Sequence, residues 1–312
     1  MSMKSNDIQE QSFQPKEILL EGIEVVKDEK ESKKRVRGIH RPKTNSKALL
    51  KSLSLPFALF LILFVLFPIL FIVFYAFTDA NGFFTFNAFI SFFTNTVKLN
   101  VLLISVLIGV FNTVLCLLIT FPLAYLLANP KINKNYMLVM LFIMPMWINF
   151  VLRTGALRDL LTIILSAFGT TTGEHPLFCT MVGMVINYIP FTILPLYSTM
   201  LKLDKSQIEA ARDLGCNPVK TFTKSIIPQA MPGIVSASMM VFMPTISSYV
   251  ISDTLSEGKI MLFGNSIYLS FSQSDWNGGS FMSLIMLIII FIVMFATRKF
   301  ENAGSERGVS AW

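Results

Sequence analysis

Few residues in this sequence are of types that do chemistry, and their spacing excludes most of the reactions they suggest. Cys116, Cys179 and Cys216 are widely separated, and neither His40 nor His175 completes a ligand set with them. Disulfide frameworks and zinc sites need short paired spacings, so neither is expected, and no metal site is assigned. The one Gly-Lys pair, Gly258-Lys259, runs into Ile260 and lacks the earlier glycine of a phosphate-binding loop. The chain is therefore expected to carry no nucleotide-hydrolysing site of its own. What remains is a concentration of backbone-capping residues between Asp204 and Pro228. Asp204 or Ser206 can cap a helix, and Ser206 with Glu209 fits a capping box. Ala210 and Ala211 are strong helix formers with small side chains. Gly215 suits the left-handed residue that stops a helix, and Asn217-Pro218 supplies a new cap with proline in the first helical position. Val219, Phe222 and Ile226 then recur at helical spacing before Pro228, which is expected to end the unit. The expected local structure is two short helices joined by a glycine turn.

The elements around this segment are apolar and long. Of 312 residues, 53% are hydrophobic and only 14% charged, where soluble domains run near a quarter charged. With a mean hydropathy of +0.62, the composition points to an all-α membrane protein. The net charge of +7 is concentrated rather than spread: eight Lys/Arg lie between Lys33 and Lys51, just before an apolar run. That arrangement reads as a topology signal with attraction to anionic lipid, not as a nucleic-acid surface. Residues 1–50 are too polar to bury a core and are expected to form a disordered cytoplasmic extension, with a short helix around Lys16–Lys27. The apolar core of a cleavable signal peptide is missing from this stretch.

Six apolar segments follow, near residues 55–77, 101–128, 136–152, 177–201, 234–251 and 281–297. The first has 23 residues without a charge, enough at about 1.5 Å per residue to cross roughly 30 Å of hydrocarbon. Together they set out a six-span transmembrane domain over 51–300, with a polar loop at 202–233 and a tail at 301–312. Proline interrupts five of them, at Pro68, Pro122, Pro145, Pro190 with Pro195, and Pro244. Lys131, Lys134, the Lys202–Lys224 segment and Arg298-Lys299 fall on the same side as the basic N-terminal tail. Both termini and the 202–233 loop are therefore expected to be cytoplasmic. Arg153 and Arg158 are exceptions on the opposite side.

With its capping residues and position before the penultimate span, the segment resembles the EAA motif of binding-protein-dependent ABC importer permeases. The match comprises Glu209-Ala210-Ala211, Gly215 four residues on, and Ile227-Pro228, with Ser225 where the pattern has isoleucine. The resemblance implies a type I importer permease with a cytoplasmic coupling helix-turn-helix that docks into a groove on a separate ATPase. Glu209, Ala210, Ala211, Asp213, Gly215, Ile227 and Pro228 would be its coupling residues. The implied partners are two copies of the ATP-binding subunit, which holds ATP and Mg, a second permease subunit, and an extracytoplasmic binding protein.

Over Leu55–Lys299 the chain further resembles the first permease subunit of spermidine/putrescine importers. Supporting stretches are Pro145–Asn149, Leu152-Arg153-Thr154, Glu209–Gly233, Gly264-Asn265 and Asp275-Trp276. Gly155 and Leu157 stand where that family carries aromatics. A path for a polycation should offer aromatic faces and carboxylates. Trp147, Tyr188 and Tyr249 are the candidate aromatics, Asn149 and Asn187 the polar contacts, and Asp253 the nearest acid. An importer for iron, phosphate or an opine is the alternative within the class. An ion-coupled secondary transporter would show mid-membrane ionisable residues or inverted repeats, and neither is visible in the sequence.

Overall fold

The computed structural model describes residues 55–79, 81–130, 132–133 and 136–309, with side chains through 297. Residues 1–50 with their expected helix, His40, Lys131, Lys134 and the side chains of Arg298 and Lys299 lie outside the described residues. The chain forms two units, Met1–Phe67 and Pro68–Trp312. In the first, residues 55–67 are helical, with a π-helical turn at Ile62–Leu66, and every side chain is exposed. A helix apolar on all sides suits lipid rather than water.

The helices are α1 (Leu55–Ala76), α2 (Asn87–Thr94), α3 (Thr96–Leu127), α4 (Met137–Ile143) and α5 (Phe150–Ala167). Then follow α6 (Pro176–Met200), α7 (Lys205–Asp213), α8 (Pro218–Ser247), α9 (Val250–Ser256), α10 (Phe263–Ser272) and α11 (Trp276–Val309). No strand forms among the described residues, where one isolated bridge joins Thr78 to Phe84. Five helices, α1, α3, α6, α8 and α11, are long and apolar enough to cross a membrane, and a bent pair makes a sixth if counted as one span.

In the second unit α3, α6 and α8 pack on one another at the centre, and α11 lies against α8. Small residues bring these helices together, because close backbone approach is what drives association where water exclusion does not. Gly233 of α8 lies directly on Thr199 and Pro195 of α6, and a β-carbon at Gly109 of α3 would sit 3.0 Å from Ile246 of α8. Two buried polar contacts tie helices together at the crossings. Asn112 Nδ2 donates to Thr245 Oγ1 at 2.9 Å, and Ser105 Oγ accepts from the Phe263 amide at 2.7 Å. Leaving such groups unpaired would cost more than the bond itself contributes.

Two expectations need correction. The span near 136–152 is not one helix: Met137–Trp147 and Phe150–Ala167 meet at 100°. Pro145 lies in a 3-10 turn, Met144–Trp147, and Asn149 then restarts the chain as a helix, its Oδ1 accepting from the Val151 and Leu152 amides. Arg153 and Arg158 therefore lie on α5, not in a loop. Pro228 also fails to end its helix, and α8 runs unbroken for 30 residues from Pro218 to Ser247. Proline clashes with the carbonyl of the residue four positions back, but a π-helical turn over Phe222–Ile226 precedes it. There the Ile227 amide reaches back to Phe222 O, widening the turn so that the proline fits. The far end of α8 stops at Ser247, where Ser248 is extended, and α9 begins at Val250.

Candidate functional site

The segment between α6 and α8 is built by three local devices. Asp204 caps α7: its Oδ1 accepts from the Ser206 amide at 2.9 Å and from the Ser206 hydroxyl at 2.7 Å. These two donors, hydroxyl first, hold the Asp204 carboxyl below its ordinary range. The capping box expected from Ser206 and Glu209 is thus replaced by an aspartate cap, since Ser206 spends its hydroxyl on Asp204. At the other end Gly215 adopts φ +81°, with its amide on Arg212 O at 2.9 Å and the Cys216 amide on Ala211 O at 3.1 Å. This pair of bonds is the Schellman closure of a helix, and it requires a residue that tolerates positive φ. Asn217 Oδ1 then accepts from the Lys220 amide at 2.8 Å and starts α8 on Pro218.

One face of this helix–turn–helix is anchored in the bundle. Ile208 of α7 and Ile226 of α8 are buried with Phe121, Ala124, Leu196 and Met200. The Phe222 ring meets Phe121 edge-on at 5.3 Å and Tyr125 at 5.9 Å. A polar bridge fixes the two helices to each other: Gln229 Oε1 accepts from the Asp204 amide at 2.9 Å, and its Nε2 donates to Ser225 Oγ at 3.3 Å. Ser225, which departs from the motif, thereby has a positioning partner.

The opposite face is exposed. Leu214 is 86% accessible and Val219 70%, and the two flank the Gly215 turn. Val219 therefore leaves the apolar stripe expected with Phe222 and Ile226, while Leu214, which spacing did not single out, joins it at the surface. Ala210 and Ala211 line a depression of about 710 Å³ with Leu214, Lys224, Ser225 and Pro228. Glu209 faces a separate depression of about 290 Å³, beside Lys205, Arg212 and Tyr125. Asp213 is exposed at the end of α7, and Ile227 is half-buried in the bundle-facing cluster. The segment thus presents two small alanines, an exposed apolar tip and a carboxylate on different sides of one short helix. It has no nucleophile–base pair. Among the described residues no group of three or more His, Cys, Asp or Glu could hold a metal ion.

The remaining candidates fall in separate places. Asn187 is fully buried, accepting from Arg153 Nε at 2.7 Å and donating to Gly183 O at 2.9 Å. Tyr188 is buried beside it with its hydroxyl on Pro244 O at 3.2 Å. Arg153 also donates to Pro145 O at 2.7 Å, so these residues brace the bent pair against α6. The Asn149 side chain is occupied as a cap. Trp147, Tyr249 and Asp253 are exposed, and the Tyr249 ring stacks on Tyr268.

The described chain is thus a bundle of long apolar helices with a capped, surface-facing turn before its penultimate long helix. The sequence pattern of the binding-protein-dependent transport system inner membrane component family matches residues 120–303, and the chain belongs to that family. The family supplies the non-catalytic permease subunits of ABC importers, whose ATPase is a separate subunit, and its members are multi-pass membrane proteins. The chain is 32% identical over 210 residues to the spermidine/putrescine transport system permease protein PotB of Haemophilus influenzae, covering 62% of this chain and 73% of that one. Its identity to the protein of the same name from Escherichia coli strain K12 is 33% over 205 residues, covering 62% and 74%. The fold is similar to a chain of a bacterial ABC transporter involved in the import of the acidic polysaccharide alginate, with a TM-score of 0.59 at 18% identity. That match covers 84% of this chain and 99% of the other. A chain of an inward-facing methionine ABC transporter matches with a TM-score of 0.50 at 17% identity, covering 67% and 99%.

Proposed function

We propose that this chain forms half of the translocation pathway of a polyamine importer and that the α7–Gly215–α8 segment couples it to the ATPase. The single observation that carries the substrate reading is the identity of about one third to two spermidine/putrescine permeases over nearly three quarters of their length. The coupling reading rests on the exposed tip. Leu214 and Val219 are large apolar side chains left in solvent, as anchors for a partner's groove are before docking. Ala210 and Ala211 let a partner approach closely, and Glu209 offers a carboxylate to basic groups.

In this reading two copies of the ATP-binding subunit hold ATP and Mg, and a second permease subunit completes the pathway. An extracytoplasmic protein delivers spermidine or putrescine. Both termini and the coupling segment are cytoplasmic. ATP-driven closure of the ATPases moves the coupling segments, and the Ile208, Phe222 and Ile226 anchors pass that motion to α3 and α6 as a rigid body. Uptake of labelled spermidine by cells expressing the complete importer tests the substrate. Unlabelled spermidine or putrescine should compete, while phosphate, ferric iron and opines should not. Competition by one of those other solutes alone would transfer the chain to a different importer.

A further inference from the structure

The end of α8 far from the Gly215 turn carries a half-exposed aromatic pair. Tyr249 and Tyr268 lie with ring centroids 4.8 Å apart and planes within 5° of parallel, and they are 43% and 53% accessible. The backbone dictates the pairing. Gly264 of α10 lies directly on the Ser247 carbonyl, a contact that no side chain would allow. Tyr249 follows Ser247 by two residues, and Tyr268 stands one turn after Gly264, so the close approach brings the rings face to face. Two stacked rings present an outer face of negative quadrupole potential.

A carboxylate gives this place the same sign. Asp253 stands one turn beyond Tyr249 on α9, its amide bonded to Tyr249 O at 3.0 Å. Among the described residues no side chain holds its carboxylate. The neighbouring cation, Lys259, instead donates to Gly173 O at 2.6 Å. Aromatic faces and a carboxylate bonded to no side chain both favour a positive ligand.

We propose that Tyr249, Tyr268 and Asp253 form an alkylammonium site at the mouth of this subunit, with the tyrosine rings taking the cation and Asp253 supplying its counter-charge. Naming spermidine as the physiological occupant rests on the polyamine reading above; the site for an alkylammonium does not. An exposed cation–π contact corresponds to roughly 2- to 5-fold in affinity and a desolvated one to about 30-fold. The site is therefore weak and suited to passing a cation on.

The test is equilibrium binding of radiolabelled spermidine and of n-butylammonium to the full chain in lipid nanodiscs at low ionic strength. Both should bind saturably, and a neutral decanediol should not. Tyr268→Leu and Tyr249→Leu should each weaken binding by roughly 2- to 30-fold, and Asp253→Asn should weaken it with a flatter salt dependence. Tyr268→Phe should bind as the wild type does, because it keeps the ring. Equal affinity in the wild type and both leucine variants would overturn the site. So would an equal loss in Tyr268→Phe and Tyr268→Leu, or no saturable binding of either cation by the wild type. Uptake by the assembled importer is scored separately. Cation binding at the tyrosines by a chain whose importer carries no spermidine would sink the polyamine reading and leave the site standing.

Discussion

Replacing Arg153 with methionine removes the group that holds the bent α4–α5 pair against α6. Its guanidinium donates to Pro145 O and Asn187 Oδ1 at 2.7 Å each and to Asn187 O at 3.3 Å. Hydrogen bonds from a charged donor contribute roughly 1.5–3 kcal/mol each. Because Arg153 is only half-buried, water can replace part of this, so the two short bonds are counted at the low end, about 3 kcal/mol together. The partner side is the less forgiving one: Asn187 is fully buried, and its Oδ1 would lose its partner. At about 2–4 °C per kcal/mol for a chain of this size, the midpoint of thermal unfolding should fall by roughly 6–12 °C. The assay is tryptophan fluorescence of the full chain in detergent during heating. Arg153→Lys should fall between, since an ammonium cannot hold Pro145 O and Asn187 Oδ1 with one rigid fork. The double variant Arg153→Met/Asn187→Leu should lose less than the sum of the single variants. A methionine variant as stable as the wild type, with no coupling in the cycle, would refute the brace.

The other expectations are more local. The folded-state pKa of Asp204 is depressed, so its cap is intact above the unfolded carboxyl value and is lost as the pH falls through the folded one. The protection of α7 amides, taken relative to their intrinsic exchange rate at each pH, should fall below about pH 4 and should not change with pH in Asp204→Asn. Gly233→Ala would place a methyl group on Thr199 and against Pro195 O, so it should lower stability by roughly 1–3 kcal/mol in urea or thermal unfolding. Gly155→Ala is the control: nothing lies within 4 Å of its added carbon, and the helix should be unchanged or slightly more stable.

The helix–turn–helix between α6 and α8 is readable in the sequence because its signals are local. Gly215 at a helix stop and Asn217-Pro218 at a helix start each act over three or four residues, and both appear where capping chemistry puts them. The choice between Asp204 and Ser206 as cap was open for the same reason: both can accept, and only the geometry shows Ser206 donating to Asp204. Pro228 misled because a proline ends a helix only if the preceding turn is α-helical. The π turn at Phe222–Ile226 is held in place by Phe222 packing on Phe121 and Tyr125 of α3, a contact about 100 residues away that no local pattern encodes. The broken third span could have been found from Pro145 followed by Asn149, a stop and a cap in close succession. The absence of any charge from Met137 to Leu152 outweighs that signal. The place of Arg153 on a helix is not legible locally, because its partners, Pro145 O and Asn187, meet it only when α5 turns by 100° from the Met137–Trp147 segment. Leu214 and Val219 could not be ranked as surface residues from spacing, since apolar residues at a turn are as easily buried as exposed.

The claim that matters most is that the α7–Gly215–α8 segment transmits ATP hydrolysis into transport. It is tested most directly by ATP-dependent uptake of labelled spermidine into proteoliposomes holding the assembled importer, with retention of the ATPase measured on the same preparation. Gly215→Asp puts a side chain at φ +81°, where nothing clashes within 4 Å, so its effect is confined to the shape of the turn. Glu209→Lys reverses the exposed charge. Both variants should leave the membrane subunit folded while ATPase retention and ATP-dependent uptake fall together. Wild-type uptake and wild-type ATPase retention in both variants would contradict the account.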